Sequence, residues 1–338
     1  MKQLSVIVPC YNVEGYLERC LTSLVHQNID ADAYEVLLID DGSTDGTAAI
    51  CDRYAAQYPQ VQAIHQANAG QGAARNTGLD LAQGKYVWFV DSDDFVTENC
   101  FQQLLTISES NDLDILFFDF LKVAEGNSVN QNVDFGELNA EVTTPDGFFS
   151  CLPCVPVGYV WQNLIKRSLI EMGGVRFAVD HLCEDTPFMY QVFFSASRIS
   201  KIDNVCYFYT KRSNSTVHGF NQKKRLIDGL FICVKSSQKI VDFNRRSLSQ
   251  NNYLRLCSHF NYLLYLAIFV ALTNRSADSF CLLLEKEGFL PLGRVDKSEV
   301  SSWRFDVIWL LSKCPKLLYF ILKISQLIKN RHNKSVLD

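Results

Sequence analysis

The sequence lacks a hydrophobic run long enough to cross a bilayer. Its most apolar stretch, residues 260–272, falls short of the ~20 apolar residues a spanning helix needs and is flanked by Arg255, His259, Asn274 and Arg275, so a buried helix is expected there. Met1-Lys2-Gln3-Leu4-Ser5 passes straight into an apolar, strand-like segment. The charged region, long apolar stretch and small-residue cleavage site of a signal peptide are missing, and a cytoplasmic chain is expected. An excess of positive charge is also missing: 32 Lys and Arg stand against 37 Asp and Glu, a net charge of −5. That excludes nucleic-acid binding driven by the whole surface, because polyanions are drawn to basic proteins. Internal repeats and low-complexity tracts are absent. The twelve cysteines are scattered singly among apolar residues, apart from a lone CxxC at Cys151 and Cys154 with no second pair at zinc-finger spacing. Reduced thiols packed in a core are expected, not a disulfide framework.

What is present is a βα alternation. Over the first ~120 residues, short apolar, β-branched runs alternate with amphipathic stretches, the pattern of a mostly parallel sheet flanked by helices. Strands are predicted at 4–8, 35–39, 61–64 and 86–90, with a fifth at 114–118; helices are predicted at 15–26, 47–58 and 72–81, where apolar residues recur three and four apart. Residues 126–146 turn polar and read as a surface excursion, 147–220 resume a mixed pattern, and after Lys223 the chain reads as helical. A chain of 338 residues can bury one large core with a smaller helical appendage. The expected division is 1–220 and 221–338. Polar residues gather after each strand, where open α/β sheets bind their ligands.

Two acidic clusters stand on that edge. Strand 35–39 runs into Asp40-Asp41-Gly42-Ser43-Thr44-Asp45-Gly46. A carboxylate there suits the imide or amide hydrogen of a nucleotide base and would repel phosphate, while Ser43, Thr44 or Asp45 is placed to cap the next helix. The strand Tyr86-Val87-Trp88-Phe89-Val90 runs into Asp91-Ser92-Asp93-Asp94. Three carboxylates in four residues at the end of a buried strand need compensation, and oxygen ligands at this density suit Mg²⁺ or Mn²⁺. A metal held there would supply Lewis-acid stabilisation to a diphosphate as it leaves. Between the clusters lies Asn68-Ala69-Gly70-Gln71-Gly72-Ala73-Ala74-Arg75. It is an incomplete GxGxxG outside the first βα turn, which argues against a dinucleotide fingerprint. Arg75 then sits over the acidic edge or the donor phosphates, or makes a structural salt bridge.

Together these segments resemble the family 2 glycosyltransferases of the GT-A fold. The resemblance covers residues 3–125 and rests on Ser5-Val6-Ile7-Val8-Pro9-Cys10-Tyr11-Asn12, on residues 40–45, on 70–79 and on 89–94, in the family's order and spacing. It implies an α/β fold with a Rossmann-like sheet, a helical C-terminal extension, and a catalytic domain over 1–220. It also implies an inverting enzyme that takes a nucleotide-sugar donor, UDP-sugar favoured, to a saccharide or lipid-linked acceptor in surface-polysaccharide or glycolipid assembly. Carried over by position, Pro9, Tyr11 and Asp41 line the base pocket, Asp91 meets the ribose, and Asp93 ligates the divalent metal, Mn²⁺ or Mg²⁺, in a DxD motif.

Val160-Trp161-Gln162-Asn163-Leu164 and His181-Leu182-Cys183-Glu184-Asp185-Thr186-Pro187 resemble further signatures of the family, in which the aspartate of Glu-Asp is the catalytic base. Asp185 then takes the acceptor proton. The alternative is that Glu184 and Asp185 only favour the dipole of a helix that starts at Pro187 with Thr186 as cap. Tyr209-Thr210-Lys211-Arg212-Ser213-Asn214-Ser215 resembles the family's mobile segment, with Arg212 placed to close on the diphosphate. The tail at 303–329 interleaves Trp303, Phe305, Ile308, Trp309, Leu317 and Phe320 with Lys313, Lys316, Lys323 and Lys329, divided by Pro315. Such helices suit an anionic membrane surface or packing on the catalytic domain.

Two rivals remain in view. A sugar nucleotidyltransferase would need a glycine-rich, basic loop where Pro9-Cys10-Tyr11-Asn12 stands. A non-catalytic nucleotide-sugar-binding module would have no need of both Asp93 and Asp185.

Overall fold

The computed structural model describes residues 2–125, 141–152, 159–179, 182–212 and 220–273, together with 280, 283–284 and 286–289. It divides into two compact units, Met1–Cys151 with Pro156–Ser215, and Leu152–Val155 with Thr216–Asp338.

In the first unit, β1 (Leu4–Cys10), β2 (Tyr34–Asp40) and β4 (Tyr86–Phe89) are buried at every position. Strands covered by helices on both faces must read as near-continuous apolar runs, which is why they were visible in the sequence. They alternate with α1 (Leu17–Val25), α2 (Thr47–Gln57), β3 (Val61–His65) and α3 (Gln71–Leu81). Then follow β5 (Phe95–Val96), α4 (Cys100–Ser110), β6 (Ile115–Ala124), α5 (Pro145–Cys151), β7 (Asn163–Lys166), α6 (Arg167–Met172), α7 (Asp185–Ser195) and β8 (Ile199–Lys211).

The strands form one sheet in the order β3-β2-β1-β4-β7-β6-β8-β5. The first four are parallel. Beyond β4 the sheet is mixed, because β7 runs antiparallel to both β4 and β6, and β5 antiparallel to β8. The expected fifth strand is therefore present as β6 but does not extend the parallel set; β7 inserts between it and β4. A short apolar run carries no direction of its own, since connections set strand direction, so the sequence pattern could not show this.

One close approach explains a glycine in the 70–79 segment. A Cβ on Gly78 would lie 2.3 Å from Ile7 Cγ2, so α3 seats against β1 only because that atom is missing. The core continues through Trp88, whose ring meets Phe101 and Phe118 edge-on at 5.7 and 5.1 Å and whose Nε1 donates to the Trp161 carbonyl at 2.8 Å.

The second unit holds α8 (Phe220–Phe243) and α9 (Gln250–Thr273). The apolar run at 260–272 falls within α9, and among the described residues no helix is long and apolar enough to cross a membrane. Residues 126–140 of the polar excursion, Cys154, His181, residues 213–215 and the tail at 303–329 lie outside the described residues.

Candidate active site

The carboxyl ends of β1 and β2 form one side of the site. Pro9 is buried in β1, and Tyr11, just past its end, exposes 49% of its surface. The turn is held locally: Asn12, at φ 51°, accepts from Thr44 N at 2.8 Å and donates its own N–H to Ser43 Oγ at 3.1 Å. The N-cap of α2 is Gly46, not Ser43, Thr44 or Asp45; Asp45, one residue before it, accepts from Thr47 N at 3.0 Å, while Asp40 accepts from Ser43 N. Asp41 has a different task. Its Oδ1 accepts from Gln66 Nε2 and Ala69 N at 2.7 and 2.9 Å, and its Oδ2 from Gly70 N at 2.8 Å. Asp41 is thus buried as the anchor of the loop entering α3, and Gly70, at φ 89°, takes a backbone conformation costly for other residues.

The acidic cluster at the end of β4 is distributed over separate partners. Asp91 Oδ1 accepts from Gln71 Nε2 at 3.0 Å and from an Arg75 terminal nitrogen at 2.9 Å. Asp94 is buried, and accepts from the Tyr207 hydroxyl and Thr210 N, each at 2.7 Å; the same hydroxyl accepts from Asp91 N at 3.1 Å. Burial and the charges of Asp93 and Asp91 push the Asp94 carboxyl well up. Asp93 pairs with Arg212, Nε to Oδ2 at 2.6 Å, and the Arg212 guanidinium lies 5.3 Å from the Tyr16 ring. Burial and Asp91 still push Asp93 up to about 6. Arg19 ties the backbone in place, donating to Asp93 O and Thr210 Oγ1 at 3.3 and 2.6 Å.

The third side comes from α7. The helix begins at Asp185, not at Pro187. Pro187 falls inside the first turn, where a missing N–H costs nothing because those donors have no helical partner. Glu184 and Asp185 both reach Arg75: one terminal nitrogen of Arg75 meets Glu184 Oε1 at 2.6 Å and also Asp185 Oδ1. Arg75 is 1% exposed and its guanidinium lies 5.3 Å from the Phe177 ring. Two of the three readings left open for Arg75 meet here: it sits at the acidic edge and it is an ion-pair hub. Asp185 retains 21% exposure. Its carboxyl is raised well above the usual range by burial, with Glu184 and Asp91 adding to that and Arg75 opposing it.

The fold therefore brings Asp91, Asp93, Arg75, Asp185 and Arg212 to one edge of the sheet, with Pro9, Tyr11 and Asp41 on the neighbouring strand ends. Sequence reasoning missed Tyr207, Thr210, Arg19 and Gln71. Tyr207 and Thr210 lie 113 and 116 residues from the Asp94 they hold; no local motif marks Tyr207, and the segment that includes Thr210 pointed to Arg212 instead.

Among the described residues no group of three or more His, Cys, Asp or Glu side chains is arranged to hold a metal ion. Asp93 would suit a divalent ion in another way: it is a largely buried carboxylate next to Asp91, so a cation beside it would offset the burial and repulsion that raise it, and a single carboxylate is enough for an ion that takes its remaining oxygens from water and a substrate diphosphate.

The sequence profile described as Glycosyl transferase family 2 matches residues 5–173. The chain is 35% identical over 216 residues to "Uncharacterized glycosyltransferase EpsJ" of Bacillus subtilis, a match covering 63% of this chain and 62% of that protein. It is 30% identical over 217 residues to "Poly(ribitol-phosphate) beta-N-acetylglucosaminyltransferase TarS" of Staphylococcus aureus, covering 63% of this chain and 36% of that one. The match thus spans less than two thirds of either relative. The crystal structure of S. aureus TarS 1-349 in complex with UDP-GlcNAc superposes with a TM-score of 0.57 at 19% identity, covering 94% of this chain and 90% of that one. The mannosyltransferase PcManGT from Pyrobaculum calidifontis, in complex with GDP-Man and Mn²⁺, gives 0.50 at 17% identity, covering 98% and 88%. The fold is the α/β GT-A arrangement that the resemblance implied, with a mixed sheet.

Proposed function

This chain belongs to glycosyl transferase family 2 and is a glycosyltransferase, and we propose that it transfers a sugar, with inversion, from a UDP-sugar to a saccharide or lipid-linked acceptor. The observation that carries the reading is the convergence on Arg75 of Asp91, from the end of β4, with Glu184 and Asp185, from the start of α7. It joins a diphosphate-facing acidic edge to a partly exposed carboxylate.

In this reading residues 1–220 are the catalytic domain. Tyr11 stacks on the base, with Pro9 shaping the floor and Asp41 holding the loop that closes the pocket. Asp91 meets the ribose. Arg212 leaves Asp93 for the diphosphate, a route open to a long side chain at a strand end. Asp185 takes the proton from the acceptor hydroxyl as its oxygen bonds to the anomeric carbon; the bond to the phosphate oxygen breaks on the opposite face, and its electron pair leaves with the diphosphate. Asp93 would hold the Mn²⁺ or Mg²⁺, which when bound supplies Lewis-acid stabilisation of the departing charge. A Mn²⁺ complex of PcManGT and a UDP-GlcNAc complex of TarS support metal and donor class, and TarS, whose name gives a poly(ribitol-phosphate) acceptor, supports a polyhydroxylated polymer as acceptor, the hydroxyl chemistry that a saccharide shares.

The test is thermal stability against a panel of nucleotide sugars with Mn²⁺, with Mg²⁺ and with chelator. A ligand at a hundredfold excess over its dissociation constant stabilises by about 2.7 kcal/mol. A metal-dependent rise with uridine nucleotides is expected; a rise with another base reassigns the donor, and none with any nucleotide sugar overturns the donor site. We further propose that the enzyme works in the cytoplasm, with the tail at 303–338 in peripheral contact with the membrane. Deleting that tail should abolish binding to anionic liposomes, and unchanged binding refutes the contact.

A further inference from the structure

Three carboxylates share one guanidinium at the centre of this site. Arg75 places one terminal nitrogen on Glu184 and Asp185 together and the other on Asp91. Its Nε is buried with no hydrogen-bond partner among the described residues, so carboxylates on the terminal nitrogens and the Phe177 ring beneath set the orientation of the fork. A planar guanidinium held in this way turns toward whichever carboxylates remain when one is taken away. A carboxylate in a one-to-one pair with a buried arginine is a poor base, because the pair stabilises its ionised form.

We infer that Glu184 is a positioning residue for Asp185: by holding its own share of the Arg75 terminal nitrogen that both carboxylates meet, it keeps Asp185 from having that nitrogen to itself, and so leaves the Asp185 carboxylate able to accept a proton. The inference rests on the reading of Asp185 as the base. It concerns a neighbour that is 7% exposed, against 21% for Asp185. Arg75 from α3, Asp91 from the end of β4 and Glu184 beside it are the charged groups that act on Asp185. Three negative groups against one positive leave an excess of negative charge in a largely buried setting, where a proton on Asp185 is favoured. Asp91 extends the same sharing to the donor side. A donor that draws Asp91 away leaves two carboxylates on Arg75, so Glu184 matters most with the site filled.

The first arm of the test needs no substrate. Because the Asp185 carboxyl is raised in the folded protein, its ionisation opposes folding. Asp185→Asn should therefore gain stability over its parent as pH climbs above the usual carboxylate range. That difference in Tm, followed across pH, reports the proton affinity of Asp185. In a Glu184→Gln background, which keeps an acceptor for Arg75 but removes the charge, the rise should move to lower pH. Glu184→Asp should leave it near its original place. An unmoved rise in folded Glu184→Gln overturns the inference. If Glu184→Gln does not fold, Asp91→Asn replaces it, with the same acid shift expected and the same overturning result. Release of nucleoside diphosphate from the nucleotide-sugar panel by Asp185→Asn separates the two readings. Retained turnover removes the base and this inference with it, whereas lost turnover with an unmoved rise removes the inference alone.

Discussion

Arg75 and Asp185 carry the two predictions that belong to single residues. Replacing Arg75 by methionine keeps much of the apolar stem but leaves Asp91, Glu184 and Asp185 without their shared cation. Removing one partner of a buried ion pair costs about 3–5 kcal/mol, and urea denaturation should show a loss of that order. Asp185→Asn is isosteric and should keep the donor-induced rise in Tm while turnover falls by about 10²–10⁴, the usual share of a general base. Parallel loss of donor binding would instead mark Asp185 as a donor contact. At this scale the sequence was only partly readable. Asp93 and Asp185 announce themselves by carboxylates clustered after an apolar strand and before a helix. Arg75 had three open readings, because an arginine's partner depends on which loops the fold brings to it.

At the scale of elements, three junctions can be tested. Gly78→Ala should drive a methyl into Ile7 and separate α3 from β1; overpacking of this kind costs about 1–3 kcal/mol, measurable as a lower denaturation midpoint. Tyr207→Phe removes the hydroxyl that joins β8 to the β4 end, and leaves a buried Asp94 oxygen short of a donor. A loss of about 1–3 kcal/mol is expected from chemical denaturation. His65, at the end of β3, bridges Asp40 of β2 and Asp52 of α2, at 2.9 Å each. Hydrogen bonds to Asp40 and Asp52 raise its folded pKa above the ordinary value of 6.5. The bridge therefore contributes in full below about 6.5 and fades as pH rises through the raised folded value. The Tm advantage of the native chain over His65→Gln should be largest near pH 6 and shrink toward alkaline pH; an advantage that grows with pH refutes the bridge. The elements themselves were largely legible: β1, β2, β3, β4, α1, α2 and α3 fall within one or two residues of their predicted bounds, because each carries a period that burial on a sheet demands.

For the molecule as a whole, composition and pattern determined a good deal without any coordinates. They specified an α/β sheet edge with acidic clusters after the second and fourth strands, and no apolar run of bilayer-spanning length. Those properties are written locally, as runs, periods and charges within a few residues of one another. The tertiary structure decided what depends on residues far apart in the chain. It reversed β7 between β4 and β6 and so made the sheet mixed. It brought Tyr207 to Asp94, and it closed Arg75 on Asp185 across 110 residues. It also turned Asp41 inward as a loop anchor, because the backbone N–H groups of Ala69 and Gly70 point at it. Ion pairs and hydrogen bonds act over a few ångströms, and distance in the sequence carries no record of that proximity.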